Sequence, residues 1–171
     1  HYAPFLAAAV LHEESDPRFL TSTPQALPPL LVHVLETTEE AVLRDFDEIM
    51  DERNTETLDG EVCLQLADLR TFRREAGLLK HYVGYYEGHP AGVITLLQTG
   101  ALVRVKDLIV SPSFSYSRVD QAILAMVLNA RFAQGATLAG LFGRDADSNR
   151  VFLDTMGFRA VGGVLVYRRG G

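Results

Sequence analysis

The chain has 171 residues, 47% hydrophobic and 22% charged, and its 16 Lys and Arg against 22 Asp and Glu leave a formal charge of −6. That length fits one domain, the composition is that of an ordinary globular protein, and disorder of the whole chain is excluded. An acidic balance, with a pI near 5.3, argues against a nucleic-acid binder, whose affinity comes from clustered Lys and Arg displacing counterions. Cys63 is the only cysteine, so no intrachain disulfide or CxxC site exists, and a reducing, cytoplasmic setting is the expectation.

In chain order, residues 1 to 29 carry the apolar run Phe5 to Leu11, the acidic stretch Glu13, Glu14 and Asp16, and then Pro24, Pro28 and Pro29. The apolar run is far below the roughly 20 residues that span a bilayer, so no membrane partner is expected. His12-Glu13-Glu14 has no second His one helical turn on, and reads as an acidic loop rather than a metal site. The prolines remove backbone donors, and the whole segment reads as an N-terminal appendage to a domain over residues 30 to 171. A first residue of His rather than Met fits a piece of a longer chain.

Residues 30 to 35 read as a first strand, and Thr37 with Glu40 as a capping box opening a helix that carries Val42, Phe46 and Ile49 on one face. A second helix is expected from about 58 to 79, with Leu64, Leu66, Leu69 and Phe72 as its apolar positions and Gly77 near its end. Residues 81 to 86 and 91 to 97, around a Glu87-Gly88-His89-Pro90 turn, read as a β-hairpin, and 102 to 110 as the next strand. After Ser111-Pro112-Ser113, a helix runs from about Ser117 to Gln134, with Val119, Ile123, Met126 and Ala130 at helical spacing and Gly135 as its stop. A strand at 137 to 142, a helix at 147 to 156 and a strand at 158 to 168, broken at Gly162-Gly163, complete the order β-α-α-β-β-β-α-β-α-β.

Residues 105 to 167 resemble the acetyl-CoA-binding half of the GNAT superfamily of N-acyltransferases. Leu108-Ile109-Val110-Ser111-Pro112 resembles the end of that family's fourth strand, and the helix from Ser117 its cofactor helix. Asp147-Ser148-Asn149 with Met156-Gly157-Phe158 resembles its closing helix-to-strand segment, and the hairpin from Tyr85 to Gly92 its second and third strands. The resemblance covers residues 30 to 168 and implies an α+β fold, with a mixed, mostly antiparallel twisted sheet flanked by helices. It implies acetyl-CoA as co-substrate and a primary amine, on a small molecule or a peptide, as acceptor; a homodimer is a further partner to be tested.

The family's pyrophosphate loop, R-x-x-G-x-G or G-x-A, uses unpaired N–H groups and the positive end of a helix. Aligned on Val110-Ser111-Pro112, it falls on residues 115 to 120, with Ser115 in place of the Arg, Arg118 of the first Gly and Asp120 of the second. Two readings stand. In one, Arg118 supplies the lost cation while Ser115, Tyr116, Ser117, Val119 and Asn149 complete a rearranged cofactor site. In the other, Ser117 to Asp120 is a capped, solvated helix start. A carboxylate facing a phosphate costs roughly 1–4 kcal/mol, one to three decades of affinity, so the alternative to an N-acetyltransferase is a non-catalytic interaction module of the same fold.

By resemblance the thioester arm pairs with main chain of Leu108, Ile109 and Val110, and the Tyr that often protonates the thiolate is replaced by Leu153. Tyr116 is the candidate replacement, with Tyr82, Tyr85 and Tyr86 reading as packing aromatics. Asp107 is the candidate base. In a regular strand it shares a face with Val103, Val105 and Ile109, so it is set among apolar side chains or displaced by a bulge; a salt bridge near Arg104 or Lys106 is its bland reading. His81 and His89 read as surface histidines. Seven carboxylates between Glu39 and Glu52 make the first helix acidic, either as a solvated face or as a wall for a cationic acceptor. Arg70, Arg73 and Arg74 either meet a coenzyme phosphate or offset that acidic neighbour.

Overall fold

Segments rich in Val, Ile, Leu and Tyr between residues 80 and 110 build the centre of the fold, because β-branched and aromatic side chains pack well on a pleated surface. They form β3 (Lys80–Tyr86), β4 (His89–Thr99) and β5 (Leu102–Val110), an antiparallel meander. The β3–β4 turn uses Glu87 and Gly88, both at positive φ (51° and 84°), the primed geometry that matches the twist of paired strands. The computed structural model describes residues 9–20, 31–55, 58–115, 118–144, 153–160 and 164–169.

Around the meander lie β1 (Ala9–Leu20), β2 (Val32–Glu36), α1 (Glu40–Thr55), α2 (Gly60–Glu75), α3 (Val119–Ala133), β6 (Leu138–Arg144), β7 (Arg159–Ala160) and β8 (Val164–Arg169). One sheet of eight strands results, in the order β2-β3-β4-β5-β6-β1-β7, with β8 also on β1. Among the described residues only β5 and β6 pair in parallel, and α3 is the crossover that parallel strands require.

The N-terminal segment corrects the sequence reading. Residues 9–20 are no appendage to the sheet but its strand β1, antiparallel to β6, β7 and β8. The pairing satisfies the outer edge of β6 through main chain, which a scan of side-chain pattern does not detect; Pro17 removes one donor from the ladder. Pro24, Pro28 and Pro29 lie outside the described residues. The capping box also differs: the Thr37 N–H bonds to the His81 carbonyl at 3.0 Å, and α1 opens at Glu40.

Helix α1 buries Val42, Phe46, Ile49 and Met50 against Val83 and Val93 on one face of the sheet. Helix α3 covers the other face with Val119, Ile123, Leu124, Val127 and Leu128. Met126 and Ala130 point outward, contrary to the spacing read above, because a helix this uniformly apolar does not fix its own phase. Helix α2 buries no residue fully, leaving Leu64 and Phe72 65–70% exposed. It holds to α1 through ions: Arg70 reaches Asp47 at 3.3 Å and Asp51 at 2.8 Å, and Arg74 reaches Asp47 at 3.5 Å.

Gly84 and Gly92 face each other across β3 and β4, and Ile123 of α3 sits over them. A Cβ on Gly92 would lie 2.8 Å from the Ile109 carbonyl oxygen and 2.9 Å from Ile123 Cδ1. Gly92→Ala is expected to cost about 1–3 kcal/mol by overpacking, read as a lower denaturant midpoint; an unchanged midpoint would show that the close approach of α3 is not needed.

Candidate active site

Strand β5 leaves its parallel neighbour halfway. It pairs with β6 from Leu102↔Leu138 to Val105↔Leu141, whereas on the β4 side pairing runs on to Gly92↔Val110. From residue 106 to 110, no described strand covers the β6-facing edge of β5. Side chains here are committed to packing: Leu108 and Val110 against the α3 layer, Ile109 against the α1 layer. What this edge presents is main chain, a row of peptide donors and acceptors able to pair with an extended ligand.

The point of departure coincides with a bulge. Between Leu96↔Val105 and Thr95↔Asp107 the register shifts, with Lys106 as the extra residue. The bulge settles the two readings of Asp107: it turns the side chain away from the face of Val103 and Val105 and onto the α1 face with Ile109. Asp107 is half-buried there, and no ion pair or hydrogen bond engages its carboxylate among the described residues.

Asp107, Thr95 and His81 are consecutive partners across β5, β4 and β3. His81 is 3% exposed, its Nδ1 lies 3.2 Å from Thr95 Oγ1, and its ring tilts against Phe46 at 4.6 Å. Burial, reinforced by the Arg74 charge, holds its pKa down to about 4 although Asp107 and Asp47 pull it up, so the ring is neutral at pH 7. His81 was read as a surface residue. Its parity with Val83, which packs under α1, is the signal that marks it as inward.

The loop after β5 begins at buried Ser111, whose Oγ donates to Glu52 Oε2 at 3.2 Å and ties the loop to the end of α1. A 3-10 turn, Pro112–Phe114, follows, with the Ser115 hydroxyl folded back on the Pro112 carbonyl at 3.0 Å. Arg118 adopts φ 57°, ψ 25°, is exposed, and makes no side-chain capping bond. This left-handed conformation is natural to Gly and strained for other residues. The loop therefore has, at Arg118, the backbone form expected of a glycine at this position. Helix α3 opens at buried Val119, and Asp120, half-buried, stands in its first turn. The cap is thus Arg118 rather than Ser117. Tyr116, Ser117 and Asn149 lie outside the described residues. Leu153 is 3% exposed in the α3 core cluster, so that position provides packing and no hydroxyl.

Two of the other tyrosines are tied. Tyr82 donates to Glu36 at 3.3 Å beneath the Arg131 guanidinium, and Tyr85 donates to Asp45 at 2.5 Å. Burial and that carboxylate push the Tyr85 phenol pKa up.

No protein-family model and no curated protein sequence matches the chain. Solved structures do. A GCN5-related N-acetyltransferase from Sphaerobacter thermophilus superposes with TM-score 0.69 at 13% identity, over 95% of this chain and 54% of that one. A second, from Kribbella flavida, gives 0.64 at 11%, over 95% and 61%. A functionally unknown conserved protein from Staphylococcus epidermidis gives 0.70 at 10%, over 88% and 59%. The fold is that of the GCN5-related N-acetyltransferases. The chain spans little more than half the length of these three, whereas a Trypanosoma brucei acetyltransferase is covered over 94% of its length, with TM-score 0.57 at 18% identity.

In this GNAT fold the uncovered edge of β5 and its bulge are followed in the chain by the helix start at α3. The acidic character of α1 is largely answered within the protein: Asp47 and Asp51 by Arg70 and Arg74, Asp45 by Tyr85, Glu52 by Ser111. Among the described residues, no helix is long and apolar enough to cross a membrane.

Proposed function

We propose that the chain transfers an acetyl group from acetyl-CoA to a primary amine within a ternary complex. The observation that carries this reading is the parting of β5 from β6 after Val105, which leaves the main chain of Leu108, Ile109 and Val110 open to an extended pantetheine arm. The loop fits in backbone form, since Arg118 holds the positive φ of the glycine it replaces, and the Arg118 guanidinium supplies a cation beside the diphosphate. Chemistry follows with few side chains. The amine nitrogen forms the amide bond to the acetyl carbon as the C–S bond breaks, its proton passes to Asp107, and the thiolate takes a proton from water.

Asp120 opposes the diphosphate and supports a second reading, an interaction module of the same fold that binds no coenzyme. Calorimetric titration with acetyl-CoA separates the two. Binding is expected, and Asp120→Asn is expected to tighten it about tenfold, since a half-buried charge pair falls near the low end of a 1–4 kcal/mol repulsion. No heat at millimolar acetyl-CoA with either protein would leave the module reading.

A further inference from the structure

Beside the Lys106 bulge, on the face covered by α1 and α2, a cavity of about 270 Å³ is lined by Arg73, Leu78, Leu79, Leu97, Arg104 and Lys106. Arg73, Arg104 and Lys106 meet over three leucines, with no acid among the described residues that line the cavity, and Arg104 has a partner of its own. This is unusual in a chain of charge −6. On the same helix, Arg70 and Arg74 are taken up by the carboxylates of α1, but Arg73 and Lys106 have no ion pair among the described residues. Arg73 and Lys106, like charges on an apolar floor, repel each other unless an anion joins them.

The cavity borders the candidate reacting centre. Lys106 is one residue from Asp107, and Leu97 lies two residues along β4 from Thr95, the partner of Asp107. A ligand here meets an apolar floor and cations at a point one residue along β5 from Asp107.

We propose that this cavity binds the acyl acceptor as an amine that also carries a carboxylate and an apolar side chain, the class of leucine and phenylalanine. Its carboxylate sits between Arg73 and Lys106, with Arg73 able to grip both oxygens. Its side chain covers Leu78, Leu79 and Leu97, and its amine turns toward Asp107. The assignment of the ligand as acceptor rests on the transferase reading; the binding site does not.

The test is calorimetric titration of the full chain with L-leucine, leucinamide and spermidine, each in the absence of coenzyme. Leucine is expected to bind, with leucinamide and spermidine about tenfold weaker or worse, because neither brings a carboxylate. Lys106→Glu is expected to weaken leucine by a similar factor and Arg73→Gln by less, while Lys106→Arg retains it. Both positions are at the surface or half-buried, and circular dichroism verifies the fold of each variant. Leucinamide or spermidine binding as tightly as leucine, full leucine affinity in Lys106→Glu, or no leucine heat at millimolar ligand would each overturn the site. Leucine binding without acetyl-CoA binding would overturn the transferase and keep the site; acetyl-CoA binding without leucine binding would do the reverse.

Discussion

Asp107→Asn is expected to lower kcat for amine acetylation by about 10²–10⁴-fold, the range over which a positioned general base contributes, with the acetyl-CoA dissociation constant unchanged. The two effects separate because different parts of β5 produce them. Coenzyme pairs with main chain beyond the bulge, which an isosteric side-chain change leaves alone. The proton of the attacking amine needs a carboxylate, and an amide does not accept it at neutral pH. Because nothing among the described residues bonds to the Asp107 carboxylate, the substitution breaks no structural contact. Stability is expected to stay within about 0.5 kcal/mol, as for other substitutions away from caps, cores and buried pairs. Asp107→Glu restores part of the rate. Steady-state release of free CoA thiol and a parallel calorimetric titration are the measurements; an Asn variant turning over at the parent rate would remove Asp107 from the reaction.

The position of that carboxylate shows how far the letters reach. Val103, Val105, Asp107 and Ile109 alternate as one strand face, and from alternation alone Asp107 is either among apolar side chains or displaced by a bulge. Only the pairing decides, because a bulge is a property of two strands, and Thr95 and Leu96 lie across the ladder from it. The meander, its turn at Glu87-Gly88 and the stop at Gly135 were legible because local backbone preference fixes them, whereas the expected break at Gly162-Gly163 lies outside the described residues. Strand β1 was not, since its partners are more than a hundred residues away and main-chain pairing leaves no mark on composition.

At the candidate site the same division holds. The resemblance places Arg118 at a loop glycine of the family, and its φ of 57° is a backbone form that favours glycine. The basic cavity was missed. Arg73 was grouped with Arg70 and Arg74 as one patch, yet Arg70 and Arg74 turn to α1 while Arg73 turns to β5. Arg104 and Lys106 come from a third element, so no window of sequence contains the cluster.

Acidification from pH 7 to pH 4 is expected to cost the fold about 3 kcal/mol through His81 alone, given a pKa of about 4 in the folded chain against 6.5 unfolded. The sign follows from proton counting. Below pH 6.5 the unfolded chain takes up a proton at this ring and the folded one does not, so stability is complete above pH 6.5 and declines until both states are protonated below pH 4. The physical cause is the site itself: a ring 3% exposed, set against Phe46, with its Nε2 unpartnered, whose burial is the largest effect and is reinforced by the Arg74 charge, while Asp107 and Asp47 oppose it. Carboxylates elsewhere also titrate toward pH 4, so the comparison is with His81→Gln, which keeps a polar partner for Thr95 and carries no proton. Urea unfolding of both proteins at pH 7, 6, 5 and 4 is the measurement, and the parent is expected to lose about 3 kcal/mol more than the variant across that range. Equal losses would mean that His81 accepts a proton in place, with Asp107 close enough in the folded chain to stabilise it.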